Sequence, residues 1–254
     1  MKIENNKMVA WITGASSGIG KELAKQLSSK GWRLALTSRN LKNLKLVAEE
    51  LPEESLILSA DVSNKEEIKL AYEKIIKKFN KIDLCILNAG IYNSVDALKL
   101  DSSIFKKHMD VNYMGVVHCL ELIIPHFLKN KIGHISIISS PTGWRGLPLA
   151  SAYGPSKAAL NNLAQSLRYQ LEPKGIKIQI ISPGFVSTNA TPINEHKLPG
   201  IISSTLAAKK IIKALSSSSF ETIVPNYYLL WLLYILKFLP ENLSYKLIKW
   251  KTGY

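Results

Sequence analysis

The sequence predicts an α/β protein built on one doubly wound parallel sheet. Short β-branched runs alternate with longer amphipathic segments, which is the order expected of strand–helix–strand units. The strand candidates are almost continuously apolar, as strands covered on both faces of a sheet are. With 254 residues, 46% of them hydrophobic, and no linker or repeat, the chain can bury one large core. We therefore expect a single domain over residues 1–254, with residues 190–254 forming substrate-side and C-terminal apolar elements.

Seven runs are predicted strands because they are short, apolar and rich in β-branched residues. They are MVAWIT (8–13), RLALTS (33–38), SLILSA (55–60), DLCILN (83–88), HISIIS (134–139), KIQIIS (177–182) and, more weakly, TIVP (222–225). The amphipathic segments between them are predicted helices at 19–30, 41–50, 65–79, 105–129 and 153–172. Ser63 and Glu66 form a capping-box pattern before the third helix, and Gly31 stands where a C-terminal glycine follows the first.

The chain carries a net charge of +14, but its lysines are scattered rather than gathered on one recognition element. No basic stripe with stacking aromatic residues is visible, so nucleic-acid binding is not predicted. An anionic partner, such as a phosphorylated cofactor or a membrane surface, stays open. Cys85 and Cys119 lie in apolar stretches without metal-ligand spacing, which favours buried, reduced thiols in a cytoplasmic protein. The first apolar run comes too early and is too short for a signal peptide.

A glycine-rich turn, TGASSGIG (13–20), follows the first predicted strand and opens the first predicted helix. Its glycines allow a tight turn and a close approach of the backbone to a pyrophosphate, which a helix N-terminus attracts. The spacing is G-x-x-x-G-x-G rather than the general G-x-G-x-x-G fingerprint, but the strand–turn–helix context favours a dinucleotide site. The residues expected to contact the dinucleotide here are Gly14, Ser16, Ser17, Gly18, Ile19 and Gly20.

The segment YGPSKAAL (153–160) places Tyr153 and Lys157 four positions apart, on one face of a predicted helix. Pro155 is tolerated only in a first turn, so Tyr153 should lie near the positive end of the helix dipole. We expect the ammonium and the dipole to lower the pKa of the phenol from its reference value of about 10. A packed tyrosine beside a solvent-facing lysine would show the same spacing, so this pair alone does not establish a site.

Together these motifs resemble those of the short-chain dehydrogenase/reductase family. T-G-x-x-x-G-x-G, then NAG (88–90) after the fourth strand, then a serine thirteen residues before Y-x-x-x-K occur in the family's order over roughly residues 8–190. The resemblance implies a single Rossmann-type domain that binds NAD(P) and transfers a hydride. It also implies that Tyr153 is the catalytic acid/base and that Lys157 assists it and holds the nicotinamide ribose.

Two further catalytic positions follow from the resemblance. Ser140, in IISSPTG, matches the family's substrate-orienting hydroxyl, and Asn112, in MDVNYMG, matches the asparagine that supports a proton-relay water. Hydride addition to a carbonyl builds negative charge on oxygen, so donors such as Ser140 and Tyr153 are the groups the chemistry needs. Taken singly, Ser140 would cap a turn before Pro141 and Asn112 would fix a helix bend. As a set of four at family positions, these residues indicate catalysis.

The end of the second strand favours NADP(H) over NAD(H). An acidic residue there would bind the ribose hydroxyls of NAD, but LTSRN (36–40) supplies Ser38 and Arg39 and no carboxylate. Arginine can pair with a 2′-phosphate, which an acid would repel. The resemblance adds Asp61 as acceptor of the adenine amine and SPGFVST (182–188) as the loop around the nicotinamide. The other cofactor contacts that it implies are Val62, Asn88, Ala89, Gly90, Pro183, Gly184, Val186 and Thr188.

The C-terminal segment lies beyond the resemblance and has three interpretations. NYYLLWLLYILKFLP (226–240) is strongly apolar, but it is too short and too close to Lys237 for an ordinary membrane-spanning helix. A helix packed over the substrate cleft or an oligomer interface, an interfacial lipid anchor and an apolar mouth for a long-chain substrate all stay open. The anchor would use aromatic residues beside lysines: Tyr227, Tyr228, Trp231 and Trp250.

These expectations combine into one function, the NADPH-dependent reduction of a ketone or aldehyde to an alcohol. The expected lining of the substrate site is apolar, which favours an apolar or acyl-bearing substrate. It consists of the C-terminal segment together with Tyr92, Trp144, Leu147 and Phe185. The alternative is a non-catalytic NADP-binding or membrane-associated scaffold on the same fold. No metal is expected. We expect a cytoplasmic homo-oligomer, a dimer or a tetramer, and a peripheral place at the inner membrane face stays open.

Overall fold

The computed structural model describes residues 7–188, 200–225 and 228–254 of the chain. Its strands are β1 (Val9–Thr13), β2 (Arg33–Ser38), β3 (Ser55–Ser59), β4 (Leu84–Leu87), β5 (Gly133–Ile138), β6 (Ile176–Pro183), β7 (Val186–Ser187), β8 (Ile202–Ser203) and β9 (Glu221–Val224). Its α-helices are α1 (Gly18–Ser28), α2 (Leu41–Glu49), α3 (Lys65–Phe79), α4 (Ser102–His108), α5 (Gly115–Asn130), α6 (Tyr153–Leu171), α7 (Ser204–Leu215), α8 (Tyr228–Leu236) and α9 (Glu241–Thr252).

Seven strands form one sheet in the order β3-β2-β1-β4-β5-β6-β9, and every pairing in it is parallel. The predicted fold class is therefore confirmed, including the weak seventh strand. The strand order reverses between β1 and β4, and a parallel sheet opens a crevice for ligands at the carboxyl ends of the strands on either side of such a point. The remaining pair, β7 and β8, forms a separate two-residue ladder.

The sheet is covered on both faces, which explains why its strands are apolar at nearly every position. Along β1, Val9 and Trp11 join the core on one face, while Ala10 and Ile12 join the core on the other. Both cysteines are buried in free form, as predicted. Burial raises the pKa of each thiol well above its ordinary value, so neither is a reactive thiolate at neutral pH.

The predicted helix bounds hold within a few residues for α1, α2, α3 and α6, but the cap of α3 is displaced from its predicted place. The Asn64 side chain, not that of Ser63, accepts hydrogen bonds from the first-turn N–H groups of Glu66 and Glu67. Ser63 is engaged elsewhere, because both its hydroxyl and its N–H donate to Asp61. The N-cap residue is therefore Asn64, one position later than predicted, and its backbone N–H donates to the Asp61 carbonyl oxygen instead of to a glutamate of the first turn. Gly31 does adopt the left-handed conformation expected after α1, with φ of 84°.

The predicted helix at 105–129 is longer and is interrupted. It runs from α4 through a π-helical turn, Met109–Met114, into α5. Within the described ranges, this 29-residue stretch is the single helical segment long and apolar enough to cross a membrane. Its buried side chains include Cys119 and Phe127, which pack into the core beside the sheet. The stretch therefore serves this structure as a core helix.

Candidate active site

The glycine-rich turn joins β1 to the N-terminus of α1 with the expected close packing. Gly14 and Gly18 have positive φ angles of 68° and 53°, which favour glycine. A Cβ on Gly20 would lie 2.2 Å from the Gly14 carbonyl oxygen, so any side chain there would collide with the turn. No acidic residue lies in the first turn of α1, which leaves the positive end of its dipole available to an anion.

The turn is braced by the end of β4. Thr13 Oγ1 accepts hydrogen bonds from the N–H groups of Asn88 and Ala89, at 3.0 and 3.1 Å. The Asn88 amide donates to the carbonyl oxygens of Thr13 and Gly14. The segment after β4 is thus tied to the end of β1 and to the glycine-rich turn, across the point where the strand order reverses. Thr13 is a structural partner that the sequence motif contains but that sequence reasoning did not single out.

The far end of the crevice holds the residues expected to select the cofactor. Ser38 Oγ lies 2.8 Å from Ser16 Oγ, and this contact ties the end of β2 to the glycine turn. The Arg39 guanidinium is exposed and reaches Asp61 across 3.5 Å. Burial raises the pKa of Asp61, but hydrogen bonds from Ser63 and the nearby Arg39 outweigh it and lower the pKa overall. The structure therefore gathers these groups as predicted, with Asp61 ionised.

The remaining predicted contacts near the turn lie where the crevice passes α1 and α5. Ser17 takes an extended conformation as the N-cap residue of α1, and Ile19 is half-buried in its first turn. Val62 is buried, and its carbonyl oxygen accepts a hydrogen bond from His118 at 2.9 Å. The close packing of Val62 on Gly115 sets the distance between the β3 end and α5, since a Cβ on Gly115 would lie 2.7 Å away.

Tyr153 begins α6, with Pro155 in the first turn, as the sequence predicts. Its ring packs edge-on against Tyr92, with 5.2 Å between ring centroids, and against His108 at 6.4 Å. His108 is fully buried and is held from both ring nitrogens, by the Asn93 N–H and by the Ile104 carbonyl. This aromatic pair fixes the orientation of the phenol. No sequence pattern marks His108, because the Asn93 N–H and the Tyr153 ring come from segments that only the fold brings to it.

Ser140 lies just after β5 and fills the turn-capping role considered for it. Its Oγ caps a 3₁₀ turn, Pro141–Gly143, by accepting from the Thr142 N–H at 3.3 Å. The Thr142 hydroxyl donates to the same oxygen at 3.0 Å. Ser140 also hydrogen-bonds Tyr153, whose pKa that contact lowers. The turn therefore presents one hydroxyl toward the phenol and holds it in place.

Lys157 is buried with only 3% of its surface exposed. Its Nζ donates to the carbonyl oxygen of Ile138 at 2.8 Å and lies 5.5 Å from the centroid of the Tyr153 ring. The interactions that the structure describes for this amine include no carboxylate. An uncompensated amine in such a place is expensive, so its position calls for a functional reason.

The predicted lowering of the Tyr153 pKa is wrong for this structure. Burial raises the pKa of Tyr153 to about 12, against a smaller lowering by Ser140. Burial also lowers the pKa of Lys157 to about 8. Removing both groups from water disfavours both charged forms, and this outweighs the attraction between an ammonium and a phenolate. The phenol therefore holds its proton firmly at neutral pH.

Asn112 lies in the π-helical turn and is completely buried. Its side chain binds the backbone of Ile91 from both ends, accepting from N–H at 2.8 Å and donating to the carbonyl at 3.1 Å. It also donates to the hydroxyl of Ser156, whose own hydroxyl donates to the Tyr153 carbonyl. Asn112 is thus the link between the segment after β4 and the first turn of α6. A Cβ on Gly90 would lie 3.3 Å from Asn112 and 3.6 Å from the Lys157 amine, so Gly90 lies directly beside both side chains.

The SPGFVST loop returns to the glycine turn from the other side. A Cβ on Gly18 would lie 3.0 Å from the Thr188 side chain, which places the loop directly beside the start of α1. Val186 is buried and pairs with Ile202, while Pro183 ends β6. A Cβ on Gly184 would meet Leu230 of α8 at 2.8 Å. Helix α8 therefore packs against the loop that the sequence predicts around the nicotinamide.

Arg145 fastens the C-terminal helices to the turn that follows Ser140. Its guanidinium donates to the carbonyl oxygens of Leu236 and Leu239, at 2.9 and 2.6 Å, and pairs with Glu241. Arg145 thereby supplies hydrogen-bond donors to carbonyl oxygens at and just after the end of α8, and a positive charge to Glu241 at the start of α9. Sequence reasoning missed this residue, because an arginine in a loop carries no signal of the distant carbonyl oxygens that it binds.

Trp144 adds a second connection between the same two parts of the chain. Its indole N–H donates to Glu221 at 2.6 Å, and its ring packs edge-on against Tyr234 of α8 at 5.1 Å. Trp144 is buried. Leu147, three residues further along the chain, and Phe185, in the loop after β6, are half-buried. Of the three interpretations of the C-terminal segment, α8 thus agrees with the packed helix. Tyr227 lies outside the described residues, and the side chain of Tyr228 is not described either.

The residues at the strand ends fit a phosphorylated dinucleotide. The glycine cradle and the acid-free start of α1 suit a pyrophosphate, and Ser38 with Arg39 suits an additional phosphate. Asp61 offers a carboxylate acceptor, and Gly90 lies beside Asn112 and the buried amine of Lys157. The glycine turn, Ser38 with Arg39, Asp61 and Gly90 follow the carboxyl ends of four neighbouring strands, β1, β2, β3 and β4.

Comparison with known proteins agrees with this geometry. The family model described as short chain dehydrogenase matches residues 8–198. The chain is 36% identical over 251 residues to 11-beta-hydroxysteroid dehydrogenase-like 2 of Arabidopsis thaliana, covering 94% of this chain and 80% of that protein. A short-chain dehydrogenase from Streptomyces avermitilis has the same fold, with a TM-score of 0.83 at 21% identity over 98% of this chain and 97% of that one.

A further solved structure, ElxO with NADP bound, is 25% identical, with a TM-score of 0.77 over 86% of this chain and 97% of that one. The family model spans most of the chain, and the match to the plant relative covers nearly all of it. These matches and the strand-end site together show that the chain belongs to the short-chain dehydrogenase/reductase family of oxidoreductases.

Proposed function

We propose that this oxidoreductase reduces a ketone or aldehyde to an alcohol with NADPH, using Tyr153 as the acid. The observation that carries the proposal is the grouping of Tyr153, Ser140 and Lys157. The Tyr153 hydroxyl contacts Ser140, and the buried Lys157 amine lies one helical turn away. Donors fixed in this way can meet the charge that grows on a carbonyl oxygen without having to reorganise.

A nicotinamide cofactor held at this site would supply the hydride for the carbonyl carbon. Ser140 and Tyr153 both donate hydrogen bonds toward the oxygen as it becomes negative, and Tyr153 then transfers its proton. The high pKa of Tyr153 supports this role in the reductive direction, since the phenol is fully protonated at neutral pH. Tyr92 and His108 both pack edge-on against the ring, so little orientational freedom is lost when the substrate binds.

The burial of Lys157 is explained if its amine serves two partners at once, the phenol and a ribose. Its amine lies near the phenol and beside Gly90, where a ribose would present hydroxyl groups. Asn112 positions Ile91 and the first turn of α6 through the hydrogen bonds described above. We propose that Lys157 returns a proton to Tyr153 from solvent, while Asn112 holds the first turn of α6 in place for this transfer.

The preference for NADPH rests on Ser38 and Arg39. No acid stands at the end of β2, and the exposed Arg39 guanidinium is drawn only weakly to Asp61 across 3.5 Å. It is therefore available to a 2′-phosphate, with which arginine forms charge-assisted hydrogen bonds. The similarity to a protein solved with NADP bound supports this choice.

An apolar substrate is supported by the surroundings of the phenol. Tyr92 lies on the Tyr153 ring, and Leu230 of α8 covers Gly184 in the neighbouring loop. Such walls favour a carbonyl compound with an alkyl, acyl or alicyclic body over a charged one. Family membership further supports a homo-oligomer, which we propose is cytoplasmic, and sedimentation of the purified protein would give its size.

A substrate series tests the proposed function. NADPH oxidation is followed with aldehydes and ketones of graded chain length, with NADH as the second cofactor. We expect turnover with NADPH that rises with the apolar size of the substrate. If no carbonyl compound is reduced although NADPH raises the melting temperature, the non-catalytic NADP-binding alternative replaces this proposal.

A further inference from the structure

The C-terminal helix α9 lies on the outside of the molecule and leaves large apolar side chains uncovered. Ser244 is the one buried residue of this helix, all of which the structure describes, whereas Leu243, Tyr245 and Trp250 are exposed, Trp250 to 79%. With Leu247 of α9 and with Trp231, Ile235 and Phe238 of the preceding segment, these residues form what we call the C-terminal surface. So many large apolar side chains left uncovered on two consecutive helices mark an interaction site.

Positive charge is interleaved with these apolar groups. Residues 228–254 contain four lysines, at 237, 246, 249 and 251, and a single acid, Glu241. Glu241 is neutralised by its ion pair with Arg145. The Lys249 amine lies 5.9 Å from the centroid of the Tyr245 ring, so cations and aromatic rings occupy the same turns of α9. The partner of this surface must therefore accept both apolar contact and positive charge.

An anionic lipid bilayer fits both requirements better than a second copy of the chain. Tryptophan and tyrosine prefer the boundary between acyl chains and headgroups, and lysines beside them are attracted by anionic lipids. Two copies meeting through this surface would bring lysines against lysines, on chains that each carry a net charge of +14. Charge complementarity thus favours the membrane as occupant.

The same helices adjoin the active site. Arg145 joins the ends of α8 and α9 to the turn after Ser140, and Leu230 packs on Gly184. Whatever binds the C-terminal surface is consequently held close to the turn after Ser140 and to the loop that contains Gly184. A substrate dissolved in that partner would have only a short way to the phenol.

We propose that the C-terminal surface docks on anionic membranes and that the enzyme takes an apolar carbonyl substrate from the lipid phase. The second half of this proposal rests on the proposed function, whereas the docking itself does not. Docking is therefore tested by a binding measurement, and uptake of substrate from the lipid phase is tested by enzyme kinetics.

Docking is measured by co-sedimentation of the cofactor-free protein with vesicles of phosphatidylcholine alone or mixed with phosphatidylglycerol. We expect more binding to the anionic vesicles and a loss of binding at high salt. Replacing Lys246, Lys249 and Lys251 by glutamine should lower the partition coefficient about fivefold for each lysine removed. The matched control changes three exposed lysines of α3, Lys69, Lys74 and Lys77, to glutamine and should bind nearly as well as the wild type.

Trp250→Ser tests the apolar contribution, with Ile132→Ser at an exposed site of the α5–β5 turn as its control. We expect only the Trp250 change to weaken vesicle binding, with NADPH oxidation on a short, water-soluble carbonyl unchanged. Equal binding to neutral and anionic vesicles, or equal losses in a variant and its control, would overturn the docking. A Trp250→Ser protein whose sedimentation coefficient falls while its vesicle binding is unchanged would show that a second copy is the occupant.

The substrate arm compares a long-chain aldehyde delivered in anionic vesicles with a short aldehyde in solution. We expect the lysine variant of α9 to raise the KM for the vesicle-borne substrate and to leave the KM for the soluble one unchanged. Equal KM changes for both substrates would overturn delivery from the lipid phase. Turnover with neither substrate would instead contradict the proposed function, while the vesicle-binding result would stand on its own.

Discussion

The amine of Lys157 lies 5.5 Å from the centroid of the Tyr153 ring, one helical turn further along α6. Burial sets both pKa values, so at neutral pH the phenol is neutral and no ion pair between a phenolate and the ammonium forms. Burial raises the pKa of Tyr153 to about 12 and lowers that of Lys157 to about 8. The pair is thus poised for proton transfer: an acid that keeps its proton until a strong base develops next to it, and an amine that exchanges protons near neutral pH.

Tyr153→Phe should lower kcat at least about a hundredfold, because the ring stays in place while the positioned proton donor is lost. Binding of NADPH, measured by the shift in melting temperature, should be nearly unchanged. The phenyl ring of the variant would still pack against Tyr92 and His108, so the free energy of unfolding serves as the control for folding. Near-normal turnover in this variant would rule out the proposed mechanism.

Lys157 should make the stability of the cofactor-free protein depend on pH. Its pKa is lowered from 10.5 to about 8 in the folded state, so between these values the unfolded chain binds the extra proton. Stability should therefore rise with pH, by about 2 kcal/mol between roughly pH 7 and pH 9.5. Urea unfolding of the wild type and of Lys157→Met at several pH values measures this.

The Lys157→Met protein should lack that rise, since methionine carries no proton to lose. Subtracting its stability from that of the wild type at each pH removes the titration of all other groups. Parallel stability curves for the two proteins would show that the amine is not desolvated as the structure has it. Loss of NADPH affinity in the same variant would support the ribose contact.

Ser38→Asp should turn the cofactor preference toward NADH. The new carboxylate would stand at the end of β2, where it repels a 2′-phosphate and can accept hydrogen bonds from ribose hydroxyls. The ratio of kcat/KM for NADPH to that for NADH should fall by about a hundredfold, as expected when a buried or clamped phosphate meets a like charge. Ser38→Ala is the matched control and should keep the preference for NADPH.

Asn112→Ala should destabilise the fold by about 2 kcal/mol or more, because the Ile91 N–H and carbonyl and the Ser156 hydroxyl would each lose a buried partner. Chemical denaturation gives the value, with Asn130→Ala on the exposed end of α5 as a control. Turnover should fall as well, since the first turn of α6 carries Tyr153. Unchanged stability would mean that Asn112 does not hold this junction.

Arg145→Met should loosen the C-terminal helices without unfolding the domain. The variant loses hydrogen bonds to the Leu236 and Leu239 carbonyls and the ion pair with Glu241. We expect trypsin to cleave within residues 237–251 about tenfold faster, as local opening becomes easier. Arg39→Met, which removes an exposed arginine far from α8, should leave the cleavage rate unaltered.

The sequence by itself determined the fold class, the strands of the sheet and the identity of the strand-end residues. Near-continuous apolar strands admit only a sheet covered on both faces, and Val9 to Ile12 of β1 do alternate between two cores. Glycines at positions of positive φ, such as Gly14 and Gly18, follow from local sterics that any fold must obey. These signals are local, so the order of residues in the sequence was enough to predict them.

Tertiary structure alone decided the protonation of the pair and the attachment of the C-terminus. The spacing of Tyr153 and Lys157 predicts their proximity, but their pKa values depend on how much water the surrounding segments exclude. Likewise, Arg145 gains its role only because the fold carries the Leu236 and Leu239 carbonyls to it from nearly a hundred positions away. Desolvation and long-range hydrogen bonds are properties of assembled surroundings, and no local pattern of residues encodes them.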